Sequence, residues 1–239
     1  MNKKSFSQIK SYREEFINSI EPNFTFGKKP INRIKSDNTK VKKINLNKEE
    51  ELKKLEQTIN SIQNCNLKDY SKKLIFGDGN INSPIMIIGE APGQEEVKNE
   101  RTFQGEDGLL LKKMLIAINI KKENIYSTYA VNYRTPEDRK PTSLEIKRYS
   151  IFLKEHISII DPKIIILFGS SAMESVTALS SKISDERGDW KEIILKNKTY
   201  PIMITFNPSY LIRFPENKKY SWEDLKKINK KIIDLKIQV

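Results

Sequence analysis

Hydrophobic residues along the chain fall into two patterns. Four short stretches, residues 85–88, 125–131, 163–168 and 202–206, are largely apolar and end in Gly, Pro or polar residues. Short apolar runs bounded by turn residues read as strands buried in a sheet. Between them, apolar positions recur every three or four residues. Residues 46–62 place Leu52, Leu55, Ile59 and Ile62 on one face, and residues 105–118 do the same with Leu110, Met114, Leu115 and Ile118. Both predict amphipathic helices. Thr142 and Glu145 form a capping-box pair that opens a helix to about residue 160, where Asp161-Pro162 stops it. Another helix follows Gly169-Ser170-Ser171 as far as residue 179, and a last one carries Trp222, Leu225, Ile228, Ile232 and Leu235. Residues 180–198 read as a polar excursion with room for an edge strand. Strands alternating with helices imply a mainly parallel sheet covered on both faces. Ahead of this domain (residues 48–239), Ile9, Tyr12, Phe16 and Ile20 predict a short helix. Residues 27–48, rich in Lys and Asn, predict a basic linker, either a tether for phosphates or a solvated segment.

The four strands end in the loops 89–93, 129–133, 169–171 and 207–213, which a parallel sheet brings to one edge. The first is Gly89-Glu90-Ala91-Pro92-Gly93. A carboxylate on a Gly/Pro turn at the carboxyl end of a buried strand sits where open α/β sheets bind ligands. The plainer reading is an ordinary strand-to-helix turn with a solvated Glu90. Phe103 lies on the connection that follows, and Asn207 opens the last loop. Together they predict a cleft holding a carboxylate, an aromatic ring, an amide and backbone N–H groups.

Charge adds a partner. The 239 residues carry a formal net charge of +12, which suits a polyanion such as nucleic acid or an acidic membrane surface. A lysine-rich surface from biased codon usage explains the same number. Cys65 and His156 are the sole Cys and His. This excludes an internal disulfide and a thiolate or imidazole metal centre built within the chain. In its helical context, His156 reads as structural or solvated. No apolar run approaches the ~20 residues of a membrane span, and the first residues lack an apolar signal core. The expectation is a monomeric cytoplasmic protein.

The ordered motifs resemble a family 4 uracil-DNA glycosylase, over roughly residues 60–230. They are Phe76-Gly77-Asp78-Gly79-Asn80, Gly89-Glu90-Ala91-Pro92-Gly93, Phe103-Gln104-Gly105, Arg139-Lys140-Pro141-Thr142 and Asn207-Pro208-Ser209-Tyr210-Leu211-Ile212-Arg213. The resemblance implies a three-layer α/β/α sandwich around a four-stranded parallel sheet. It also implies hydrolysis of the N-glycosidic bond of uracil, or of a related deaminated base, in DNA. By this resemblance Glu90 and Asn207 are catalytic, and Phe103 stacks on the extruded base. Gly89, Ala91, Pro92, Gly93, Tyr129 and Ser209 complete the base pocket. Leu211 and Ile212 form an apolar wedge, and Arg213, Lys218 and Lys219 meet phosphates.

The chain departs from that family in three ways. Its iron–sulfur cluster has four cysteines, whereas only Cys65 matches here and Ile62, Tyr133 and Tyr149 take the other places. The resemblance, so altered, implies a protein without the cluster and with aromatic packing instead. Asn207 stands where the family has histidine; an amide still donates a hydrogen bond. Tyr129 stands where the family places the asparagine that reads the uracil edge, which leaves open a degenerate, non-catalytic DNA-binding protein. A one-residue shift in alignment would bring Asn132 into consideration.

Overall fold

The computed structural model describes residues 48–238. The helix expected within residues 1–20, nearly all of the basic linker and the boundary between the two proposed domains lie outside the described residues.

The chain opens with α1 (Lys48–Asn60), which buries Leu52, Leu55 and Ile59, and the short α2 (Asn66–Ser71). Then come β1 (Asp78–Gly79), β2 (Ile85–Gly89), α3 (Gln94–Asn99), α4 (Gly105–Ile116) and β3 (Ile125–Tyr129). The second half holds α5 (Ser143–Ile160), β4 (Ile164–Phe168), α6 (Ser170–Thr177), α7 (Ile183–Glu186), β5 (Trp190–Leu195) and β6 (Lys198–Thr205). It closes with α8 (Pro208–Arg213) and α9 (Lys218–Asp234). The Thr142–Glu145 pair caps α5 as a capping box.

The strands form one six-stranded sheet in the order β1-β3-β2-β4-β6-β5. Its four central strands are parallel and are the four apolar runs expected from the sequence. Every residue of β2, β3 and β4 is buried, as strands covered on both faces must be. Antiparallel strands border them. The two-residue β1 pairs with β3, within a segment that reads as a turn in the sequence. The polar excursion contains β5, which pairs with β6 through Lys196 and Asn197. Both have positive φ, 46° and 65°, the two-residue turn whose twist suits a hairpin.

Alternate residues of each strand face opposite cores. Met86, Ile88, Ile165, Leu167, Ile202 and Ile204 pack under α1, α5 and α6. Ile85, Ile87, Ile164, Ile166, Phe168 and Met203 pack under α4, α8 and α9. The result is a three-layer α/β/α sandwich. Within the first core His156 is 2 % exposed, stacks on Phe76 at 4.3 Å and places Nε2 2.9 Å from the Tyr126 hydroxyl. Burial drives its pKa down to about 3, so the ring is neutral.

The register aligns the carboxyl ends. Gly89 lies opposite Tyr129, and Phe168 lies opposite Thr205. Gly169 N then donates to Thr205 O at 3.0 Å, and Thr205 Oγ1 donates to the buried Asp224 carboxylate of α9 at 2.7 Å. An Arg187–Asp224 ion pair fastens the same corner. The loops after β2, β4 and β6 therefore leave the sheet from a braced edge.

Candidate active site

Glu90 follows β2 directly and its carboxylate is held by three donors. Ser171 N donates to Oε1 at 2.9 Å, Ser170 Oγ to the same oxygen at 3.3 Å, and Asn207 Nδ2 to Oε2 at 2.9 Å. The first two come from the start of α6, where free backbone N–H groups suit an anion. Lys140 Nζ donates to Ser170 Oγ at 2.8 Å, bringing a cation to the group. Gly169 makes the approach possible. Its φ is +101°, and a Cβ there would lie 2.5 Å from Glu90 Cδ. Asn207 works in two directions, because its Oδ1 also accepts from Ser209 N at 3.3 Å and caps α8.

A cavity of about 390 Å³ opens beside this carboxylate. Gly89, Ala91, Pro92 and Gly93 contribute to its wall, with Phe103, Tyr129 and Ser209. Phe103 sits at φ +49°, an uncommon conformation for a bulky residue. It is held there by Phe103 N donating to the Tyr129 hydroxyl at 2.8 Å. The two rings are 5.1 Å apart and tilted by 34°. Tyr129 is 4 % exposed, and its ring lies so close to Gly89 that a Cβ there would meet it at 2.7 Å. The ring thus forms part of the cavity wall. Burial and the neighbouring Glu96 push the Tyr129 phenol well above its usual range, so it stays protonated. Asn132 is elsewhere: it is 5 % exposed and donates to Ile75 O and Phe76 O.

Glu96 shapes the far wall. Its carboxylate accepts from Gly93 N at 2.9 Å and Gln104 N at 2.8 Å, tying the Glu90 loop to the Phe103 loop. Asp107 on α4 lines the same cavity, and its carboxyl is raised to about 6, first by burial, then by Glu96 and Glu106, against the pull of Arg213. The sequence reading missed Glu96 and Asp107 as site residues; it placed Lys140 in a motif of the resemblance and Ser170 and Ser171 on an edge loop, but gave none of the three a role. A Glu three residues beyond Gly93, placed to accept from the backbone N–H that opens the helix, was the available signal for Glu96.

A second, wider groove of about 720 Å³ adjoins the first and shares Glu90, Lys140, Asn207 and Arg213 with it. Lys182, Arg187, Tyr210 and Tyr220 line its other side. Arg213, Lys218 and Lys219 are exposed. The expected wedge is divided. Leu211 is 1 % exposed and belongs to the core under α8, so it does not project from the rim; Ile212 remains half-buried. The reason is helical phase: α8 is short, and its inward face must be apolar.

The four positions that the resemblance relates to a cluster do converge. Cys65 Sγ lies 3.2 Å from the Tyr149 hydroxyl, and Tyr133 donates to Asn60 Oδ1 at 2.9 Å. The Tyr133 and Tyr149 rings stand edge to face at 6.3 Å, with Ile62 packed against the same core. One thiol among two phenols and an aliphatic chain does not fit a four-thiolate cluster. Among the described residues no group of three or more His, Cys, Asp or Glu could hold a metal ion.

Comparison with known proteins agrees with this geometry. The sequence model of the uracil DNA glycosylase superfamily matches residues 76–229. A type-4 uracil-DNA glycosylase of Thermotoga maritima is 32% identical over 183 residues, covering 75% of this chain and 94% of the relative. One from Sulfurisphaera tokodaii is 32% identical over 184 residues, covering 74% and 83%. A DNA polymerase of Bacillus phage SP01 is 32% identical over 160 residues, which are 66% of this chain but 17% of that protein. With its sandwich, its Glu90–Asn207 rim and a family match across most of the folded domain, the chain belongs to the uracil DNA glycosylase superfamily.

Proposed function

We propose that this protein is a uracil-DNA glycosylase that hydrolyses the N-glycosidic bond of uracil, or of a related deaminated base, in DNA. The observation that carries the reading is the 2.9 Å contact between Glu90 and Asn207 at the mouth of a base-sized cavity. The base leaves the stack, enters the cavity and lies against Phe103. As the C1′–N bond lengthens, the bonding pair departs with the base and the sugar becomes cationic. The Glu90 carboxylate faces that charge and orients the water whose oxygen bonds to C1′. The attacking water gives up one proton to solvent and the departing base takes one from it, leaving an abasic site. Asn207 aims Glu90 and has a second N–H for the departing base. Backbone N–H groups of the 89–93 loop and Ser209 border the base.

The wider groove suits the DNA strand. Lys140, Arg213, Lys218 and Lys219 supply the counter-charge for phosphates. Ile212, with the exposed Phe214 beside it, takes the part of the wedge. The protein works as a cytoplasmic monomer without an iron–sulfur cluster, the place of the cluster being taken by the Cys65–Tyr133–Tyr149 packing. No described helix is long and apolar enough to cross a membrane.

The test is an end-labelled oligonucleotide carrying one uracil, followed by alkaline cleavage at abasic sites. A cut product from single or double strands supports the reading. No product from either, nor from hypoxanthine or thymine-mismatch substrates, returns the protein to the non-catalytic DNA-binding alternative.

A further inference from the structure

Uracil presents an N–H donor and a carbonyl acceptor side by side on its pairing edge. A buried site selects such an edge by offering the complementary acceptor and donor, and leaving either unpaired is costly. Tyr129 does not offer the pair. Its oxygen already accepts from Phe103 N, and its ring is packed against Gly89 and Phe103. Asn132 is committed to Ile75 and Phe76. Asp107 is differently placed. It is half-buried on the first turn of α4, four residues beyond Phe103, and lines the cavity with Glu90, Phe103 and Tyr129. Its carboxyl has no hydrogen-bond partner among the described residues.

We propose that Asp107, as a neutral carboxylic acid, reads the pairing edge of the extruded base. Its carbonyl oxygen accepts the base N–H, and its O–H donates to the base carbonyl. The inference rests on the glycosylase reading above and names the substrate class: bases with adjacent N–H and C=O, such as uracil and hypoxanthine. The donated bond strengthens as the departing base gains negative charge.

The surroundings shift the carboxyl toward its neutral form. Burial is the main cause, Glu96 on α3 and Glu106 on α4 add to it, and Arg213 on α8 opposes them, leaving the carboxyl at about 6. Glu95 packs against the same turn at Gly105, and Tyr129 on β3 faces Asp107 as a neutral phenol. Once ionised, Asp107 has acceptors only and repels the base carbonyl. Excision therefore weakens as pH rises through about 6, by about tenfold per pH unit.

The experiment measures kcat/KM on a single strand with one uracil from pH 5 to 8.5, for the native protein, Asp107→Asn and Asp107→Ala. The native profile should fall above about pH 6. Asp107→Asn carries a donor and an acceptor at every pH, so it should lose that fall and exceed the native rate at pH 8. Asp107→Ala should be slower than native at pH 5.5 by about tenfold or more. Thermal midpoints for all three confirm that each is folded. Excision with one shared pH profile, or Asp107→Ala equal to native at pH 5.5, overturns the assignment and leaves the glycosylase reading intact. No release of uracil by any of the three at any pH overturns both.

Discussion

The rim around Glu90 and the aromatic patch around Cys65 lie in one domain but are built by opposite rules. At the rim a carboxylate is half-buried and held by three hydrogen bonds from residues far apart in the chain. In the patch, Tyr133 and Tyr149 are almost fully buried and are held by contact on all sides. Hydrogen bonds exchanged with water contribute little net stability each, whereas buried rings contribute several kcal/mol. The rim should therefore carry the chemistry at small cost to folding, and the patch should carry folding with no part in the chemistry.

The largest expected effect tests the patch. Tyr149→Ala should lower the unfolding free energy by about 3–5 kcal/mol, read as a shift in the denaturant midpoint. The excision rate of the folded fraction at 25 °C should stay within about twofold, since Tyr149 lines neither the cavity nor the groove and a side chain that touches no reacting atom adds nothing to the transition state. A rate loss as large as that from a rim substitution would erase the distinction between the regions. Next is Glu90→Gln, which should cost about 10²-fold or more in kcat, equivalent to ~2.7 kcal/mol of barrier, with the midpoint moved by ~1 kcal/mol or less. A native rate in that variant would remove Glu90 from the chemistry.

The third prediction separates the regions by pH. His156 belongs to the patch side of the sheet and is neutral when folded, with its pKa lowered from 6.5 to about 3. The unfolded chain takes up the proton first. Its contribution is thus complete above pH 6.5 and is lost as pH falls toward 3, by up to ~1.4 kcal/mol per pH unit. Replacing His156 with Gln should flatten the pH dependence of the thermal midpoint in that range; an unchanged slope would assign acid sensitivity to other groups. The smallest effect is Tyr149→Phe. Losing the 3.2 Å hydroxyl contact to Cys65 should cost about 0.5–1.5 kcal/mol and leave excision unaltered.

The same contrast explains what could be read from the chain. Central strands and their helices were legible because burial imposes a period, as in the unbroken run at residues 85–88. Loops at one sheet edge followed from parallel topology, so Glu90 and Asn207 could be expected near each other before any coordinates. Asp107 gave no such signal, since an Asp on an amphipathic helix looks like any solvated charge. Leu211 looked exposed by resemblance, but the phase of a six-residue helix turned it inward. Tyr129 was recognisable as a departure, yet only the packing against Gly89 and Phe103 shows where its ring lies.

The amide of Asn207 grips the acid with one atom and starts a helix with the other. Those two settings are mechanically geared. A side chain at 207 that holds Glu90 differently also shifts where α8 begins, and with it the direction in which Ile212 and Arg213 leave the surface. Substituting histidine there would not simply swap one donor for another. It would re-aim the lip proposed to face the DNA strand, so rate and DNA grip should change together at this position and separately at its neighbours.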